Sequence, residues 1–188
     1  SGSGKSVSCM AIMGLLPMNG AVSEGSVLFH GIPGEQFYQS NAPESKPVEL
    51  LSLTERQLRH YRGNRISMVF QEPMTSLNPV QRCGYQVVEM LQMHEDVSFR
   101  EARQRVIDLF KEVLLPRPEK IFDSYPHEIS GGQKQRVMIA MALVCQPDLI
   151  IADEPTTALD VTVQKTILEL LRSLHQRHNI GIIFISHD

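Results

Sequence analysis

The most constraining stretch covers residues 149–160, Leu-Ile-Ile-Ala-Asp-Glu-Pro-Thr-Thr-Ala-Leu-Asp. Four apolar residues stand directly before two carboxylates, Asp153 and Glu154. A short unbroken apolar run reads as a strand buried on both faces of a parallel sheet. Pro155 has no amide proton to give to a ladder, so the strand stops there. Both acids then stand at the carboxyl end of a central strand, where open α/β sheets bind ligands. Neighbouring residues on a strand point to opposite sides. One acid can therefore hold a metal ion while the other faces a reacting water. The same residues also fit an ordinary strand end with two solvated acids.

The start of the chain separates these readings. Ser1, Gly2, Ser3, Gly4, Lys5 and Ser6 match the latter part of the phosphate-loop pattern G-x-x-x-x-G-K-[ST]. Its first glycine would lie upstream of Ser1, so the chain is expected to open inside the motif, with the strand that feeds the loop outside it. Glycines let backbone amides turn inward around phosphate oxygens, and a following helix aims its positive end at them. Lys5 is placed for the β- and γ-phosphates and Ser6 for Mg²⁺. A flexible linker would share the Gly-Ser composition. The apolar helix expected over residues 7–16, ended by Pro17 and Gly20, argues against it.

The length of 188 residues suits one domain or a large part of one, and 42% hydrophobic residues can support a core. A net charge of −3 gives no electrostatic case for nucleic acid. No apolar run approaches membrane-spanning length and no signal peptide is visible. Cys9, Cys83 and Cys145 are far apart and form no C-x-x-C pair, which reads as reduced packing thiols.

Residues 26–30 read as a strand closed by a turn, and residues 35–47 as a polar loop or insertion. A short charged helix is expected over 54–61 and a buried strand over 66–70, ending on Gln71, which can reach a metal or a water. Helices follow over 84–94 and 99–113, the second with Ser98 and Glu101 as a capping box and Val106, Leu109, Phe110 and Val113 as its apolar face. Pro116 and Pro118 break the chain. These helices indicate a helical subdomain, residues 80–145, inserted between strands. Ser130, Gly131, Gly132 and Gln133 open a helix over 134–145, with Ser130 as its cap. Paired glycines leave its first amides bare, which makes a second anion cradle. A plain capped helix needs Ser130 but not two glycines. A helix over 161–177 and a third buried strand over 181–185 close the chain, ending on His187 at the same edge of the sheet.

Taken together, these motifs resemble those of ABC-type ATPases, the nucleotide-binding domains of ABC transporters. Residues 1–6 resemble the Walker A motif. Gln71 stands where that family has its Q-loop glutamine. Residues 129–133, Ile-Ser-Gly-Gly-Gln, resemble the signature motif with Ile for the usual Leu, and 149–154 resemble Walker B with its glutamate. Residues 158–160 resemble the D-loop and His187 the H-loop histidine. The run Gln71-Glu72-Pro73-Met74-Thr75-Ser76-Leu77-Asn78-Pro79 is similar to that of oligopeptide and dipeptide importers, whose relatives also carry nickel.

The resemblance implies an α/β fold with a mostly parallel central sheet, of which the chain is one partial domain lacking N- and C-terminal parts. It implies ATP and Mg²⁺ as cofactors, with ATP hydrolysis driving transport of peptides or a similar small solute. Ser6, Asp153 and Gln71 are the expected metal ligands. Glu154 is the expected base, assisted by His187 and Gln71. Ser130, Gly131, Gly132, Gln133 and Asp160 are expected to complete the site of a second ABC ATPase domain, in a homo- or heterodimer or in tandem. Further implied partners are transmembrane permease subunits and a solute-binding protein, at the cytoplasmic face of the inner (plasma) membrane. An alternative is a soluble ABC ATPase acting on ribosomes or DNA.

Overall fold

The computed structural model describes residues 4–30, 47–70, 76–157 and 159–186. The expected site residues Ser1, Gly2, Ser3, Gln71 and His187 lie outside them, as does most of the 35–47 segment.

Helix α1 covers Lys5–Ile12, starting and ending earlier than the apolar run suggests. Its start is set by Gly4, whose φ of +77° turns the chain through the left-handed region glycine adopts without penalty. Its end is set by Gly14, whose φ of +60° turns the chain out of the helix. The amides of Met13, Gly14 and Leu15 donate back to the carbonyls of Cys9, Ala11 and Met10 at 3.1, 3.0 and 2.8 Å, which caps the helix from within the chain. Just beyond it, Arg62 donates from Nε to the Met13 carbonyl at 2.5 Å and from Nη2 to the Gly14 carbonyl at 2.9 Å. Strand β1 is only Leu28–Phe29 and pairs antiparallel with β2, Val48–Glu49. A two-residue strand has no alternation to read, which is why β2 was not expected. Helix α2, Glu55–Tyr61, carries a complete Thr54–Gln57 capping box. Tyr61 at its end meets Phe29 edge to face, with ring centroids 5.8 Å apart. Strand β3 is Ile66–Val69.

Among the described residues, helices α3 (Cys83–His94), α4 (Phe99–Glu112), α5 (Pro118–Asp123) and α6 (Gly131–Leu143) lie between β3 and the next strand of the sheet. Ser98 Oγ accepts from the Glu101 amide at 3.3 Å, the amide half of the expected box. Helix α5 overturns the reading of Pro118 as a break. A proline at the first helical position lacks only an amide that has no helical partner anyway, and its φ already suits the helix. The four helices enclose Val87, Leu91, Val106, Phe110 and Phe122, all without solvent exposure.

Strand β4, Leu149–Asp153, lies in the middle of a parallel sheet, between β3 and β5, Gly181–Ile185. Helix α7, Val161–His178, makes the crossover from β4 to β5 and turns Ile167, Leu170, Leu171 and Leu174 inward. The apolar run 150–152 is buried to 1% exposure or less, as a strand covered on both faces should be. Strand β5 differs from the expectation of a third buried strand. Ile183 and Phe184 are 37% and 41% exposed. Among the described residues β5 pairs only with β4, so its outer flank has no covering neighbour.

All three cysteines are buried. Burial pushes the Cys83 and Cys145 thiols up to about 11, and burial followed by the nearby Asp153 charge raises that of Cys9. They stay protonated at neutral pH and pack as small apolar groups.

Phe110 anchors the helical part. Phe110→Ala is expected to destabilise the full-length protein by about 3–5 kcal/mol, the usual cost of emptying a buried aromatic site. Denaturant unfolding followed through the helical signal measures it.

Candidate functional site

The first amides of α1, the end of β4 and the end of β5 meet at one point. The first helical bond of α1 runs from the Ser8 amide to the Gly4 carbonyl at 2.9 Å, which leaves the amides before it without helical acceptors. Among the described residues no atom beyond its chain neighbours lies within 4 Å of where a Cβ on Gly4 would stand. Room therefore remains at the start of α1 for an anion. Lys5 Nζ donates to the Ser186 carbonyl at 2.9 Å, just beyond the end of β5. Ser6 Oγ donates to Asp153 Oδ1 at 2.9 Å, across 147 residues of sequence. Asp153 is 4% exposed and Glu154 7%.

The structure thus brings Lys5, Ser6, Asp153 and Glu154 to the carboxyl edge of the sheet. Among the described residues no three His, Cys, Asp or Glu side chains are grouped to hold an ion on their own. Mg²⁺ does not need such a cage. It keeps several waters and takes one or two protein oxygens plus phosphate oxygens. Ser6 Oγ and Asp153 Oδ1 are an oxygen pair of that kind, so the residues present fit the ion. The uncovered amides and Lys5 likewise fit a polyphosphate.

Glu154 sits at φ +46°, a left-handed conformation that costs a non-glycine residue roughly 1–2 kcal/mol. Several bonds hold it there. Its amide donates to the Ile185 carbonyl at 3.1 Å, and its carbonyl accepts from the Thr157 amide at 3.1 Å. Thr157 Oγ1 donates to Glu154 Oε2 at 3.0 Å. Below this turn, Gln164 Nε2 donates to the carbonyls of Thr156 and Leu159 at 3.2 and 3.0 Å. Asp160 caps α7 by accepting from the Val163 amide at 3.0 Å. Sequence reasoning missed Thr157 and Gln164. The available signal was a hydroxyl three residues after the acid, and an amide side chain one turn into the helix that Asp160 opens.

The second cluster is the start of α6. Ser130 and Gln133 close a full capping box on each other: the Gln133 amide donates to Ser130 Oγ at 3.3 Å, and the Ser130 amide donates to Gln133 Oε1 at 2.9 Å. The two glycines turn out to have different reasons. A Cβ on Gly132 would come within 2.9 Å of Val163 Cγ1, so this glycine lets the first turn of α7 approach. A Cβ on Gly131 would meet nothing closer than Leu159 Cδ2 at 3.8 Å. Internal packing explains Gly132 and leaves Gly131 bare toward solvent.

This arrangement is that of an ATP-binding cassette, and comparison agrees. Residues 1–157 match the family model described as ABC transporter, so the chain belongs to that family. Over its whole length it is 50% identical to the peptidoglycan transport ATP-binding protein YejF of Agrobacterium fabrum, covering 32% of that protein. It is also 47% identical to the oligopeptide transport ATP-binding protein OppD of Bacillus subtilis, covering 48%, and 45% identical to the dipeptide transport ATP-binding protein DppD of Escherichia coli, covering 53%. The chain spans about half the length of these last two relatives and a third of the first. Among solved structures, the dimeric bacterial ABC transporter cassette MJ0796 superposes over 100% of this chain and 72% of its own, with TM-score 0.76 and 29% identity. A dimeric post-hydrolysis form of the same cassette, bound to ADP and Pi, gives TM-score 0.66 and 31% identity, over 75% of this chain and 60% of that one.

The Gly132–Val163 contact is testable on its own. Gly132→Ala forces a methyl against a β-branched side chain that cannot swing away. It is expected to lower stability by about 1 kcal/mol, at the low end of overpacking costs. Adding Val163→Ala should restore the thermal midpoint lost in Gly132→Ala.

Proposed function

We propose that this chain is the nucleotide-hydrolysing part of an ABC transporter subunit that drives uptake of peptides or a similar small solute. The observation that carries the reading is the 2.9 Å contact between Ser6 and Asp153, with Lys5 and the buried Glu154 on the same sheet edge. The names of the relatives, all transport ATP-binding proteins, support the transport role and the peptide-like cargo.

When bound, ATP supplies the phosphoryl group that passes to water, and Mg²⁺ neutralises the charge on its oxygens. The chain supplies position and proton handling. The amides at the start of α1 would cradle phosphate oxygens, and Lys5, which donates to the Ser186 carbonyl, would bind one of them. Ser6 and Asp153 would hold the cation, with Gln71 as a further ligand. Glu154 would accept the proton of the attacking water, and His187 would contact the γ-phosphate. Ser130, Gly131, Gly132, Gln133 and Asp160 serve the nucleotide of a second cassette. One chain thus carries two different half-sites. Pairing two such chains about a two-fold axis completes both sites at once. The dimeric form of MJ0796 supports this arrangement. The helical part, residues 80–145, works as the subdomain that presents the second cradle. Permease subunits in the membrane and a solute-binding protein complete the assembly. No helix among the described residues is long and apolar enough to cross a membrane. The relatives' names as transport ATP-binding proteins support a peripheral place for the chain, at the cytoplasmic face.

Two substitutions in the full-length protein test this. Glu154→Gln keeps the shape of the base and removes its charge, so ATP binding should survive while steady-state hydrolysis falls by about 10²–10⁴-fold. Hydrolysis near the wild-type rate would refute the assignment. Gly131→Asp has room to fold, because its Cβ meets no atom closer than 3.8 Å. Its carboxylate would repel a docking phosphate. Hydrolysis should be lost while nucleotide binding to the isolated subunit is retained. A fall in binding as large as that of Lys5→Ala would exclude a site shared between two cassettes.

A further inference from the structure

We infer that Thr157 is a positioning residue for the Glu154 base, with Gln164 fixing the turn on which both stand. The inference rests on the role proposed for Glu154, and its residues are outside the motif set that defines that role.

Three independent features converge on Glu154. Its backbone is held in a left-handed conformation at φ +46°. Such conformations persist in non-glycine residues only where the surroundings over-determine them. Its amide is fixed to β5 through the Ile185 carbonyl at 3.1 Å, which sets where the Cα stands relative to the sheet. Its carboxylate is fixed separately, by the Thr157 hydroxyl on Oε2 at 3.0 Å. A glutamate has three side-chain torsions. The backbone contacts determine none of them, whereas the Thr157 bond removes most of the freedom left to the carboxylate. A base that takes a proton from water needs its oxygen held within hydrogen-bond reach of that water. A hydroxyl aimed at the carboxylate supplies that orientation, and it can stay bonded while the other oxygen changes its proton occupancy.

Thr157 needs a fixed base of its own, and Gln164 provides it. The two hydrogens of its Nε2 reach the Thr156 and Leu159 carbonyls, which flank Thr157 on both sides. The Gln164 amide donates to the Asp160 carbonyl at 2.8 Å, so the side chain starts from the first turn of α7. The turn is thus bound to a long, well-packed helix below and to β5 behind. The Thr157 hydroxyl then faces the carboxylate as part of a rigid frame. A turn needing only closure would be satisfied by the Thr157 amide on the Glu154 carbonyl at 3.1 Å. The hydroxyl bond adds nothing to closure and acts only on the carboxylate.

The test uses the full-length protein with Thr157→Val, which keeps the shape and removes the hydroxyl, and Thr157→Ser, which keeps the hydroxyl. Thr157→Val should lower kcat for ATP hydrolysis by about 10-fold or more, the loss expected when one hydrogen bond to a charged group disappears. KM for ATP should stay within about twofold, and Thr157→Ser should remain near the wild-type kcat. A second readout needs no turnover. In crystal structures of the nucleotide-free variants, the Glu154 carboxylate should occupy more than one rotamer in Thr157→Val and a single one in Thr157→Ser. Wild-type kcat in Thr157→Val would overturn the inference. So would an equal loss in Thr157→Ser, which would make the role one of packing, and so would a single unchanged Glu154 rotamer in Thr157→Val. Glu154→Gln measured alongside separates the two levels. If it is active, the base itself is misassigned. If it is inactive while Thr157→Val is not, only the positioning role fails.

Discussion

The site depends first on β4 being hydrogen-bonded on both sides. Ile66 to Val69 pair with Leu149 to Ala152 on one flank, and Gly181 to Ile185 pair with Leu149 to Asp153 on the other. A strand held by two ladders and covered on both faces cannot shift register without exposing its apolar residues and breaking both sets of bonds. Its last residue is therefore a fixed point in space, and that residue is Asp153. The pairing Asp153↔Ile185 brings β5 to the same level, and the Glu154 amide extends the contact one residue past the strand by taking the Ile185 carbonyl. Helix α1 comes to this fixed point from far away in sequence through the Ser6–Asp153 bond. The phosphate-loop residues are thus placed relative to the carboxylates by the sheet, and a loop alone would not hold that spacing.

Much of this was legible because apolar runs and carboxylates sit next to each other in the sequence. The strand over 149–152 and the acids after it need no tertiary information, since the run is too short for a helix and Pro155 ends it. The capping box at Ser130 and the apolar stripe of α7 were readable for the same local reason. The features that escaped were those fixed by partners distant in sequence. Helix α1 stops at Ile12 because the chain turns left-handed at Gly14, φ +60°, where Arg62 binds the Gly14 carbonyl from 48 residues away. Strand β2 exists only through its pairing with β1. Helix α5 escaped because proline was read as a stop, although at the first position of a helix it is a start. Strand β5 was read as buried from its apolar composition, but exposure depends on neighbours that composition does not supply.

The glycine pair shows how one motif can hold two physical requirements. From sequence, Gly131 and Gly132 look equivalent, two missing side chains that bare the same helix end. The structure separates them by what a Cβ would meet: Val163 at 2.9 Å for Gly132, and nothing closer than 3.8 Å for Gly131. The first requirement is internal, the seating of α6 against α7. The second has no cause in packing among the described residues, and under the proposed function it keeps the helix end open to a phosphate. Because Gly132 meets Val163 and Gly131 faces Leu159, the second cradle is seated against the turn that begins at Glu154. A displacement of that turn would disturb the cradle of the same chain.

Strain at Glu154 follows from the same architecture. A buried strand has to end and its chain has to leave the sheet at once, while an acidic side chain must remain at the edge. A left-handed residue at the junction turns the chain sharply without carrying the side chain away from the sheet. The local cost of roughly 1–2 kcal/mol is offset by the backbone bonds to Ile185 and Thr157. Each contributes about 0.5–1.5 kcal/mol. The conformation is therefore stable without being relaxed. It is held from β5, from within the turn, and from α7, which fixes that turn through Gln164. Rigidity at this residue is a product of its connections, to Ile185 on β5 and to the backbone and hydroxyl of Thr157 within the turn.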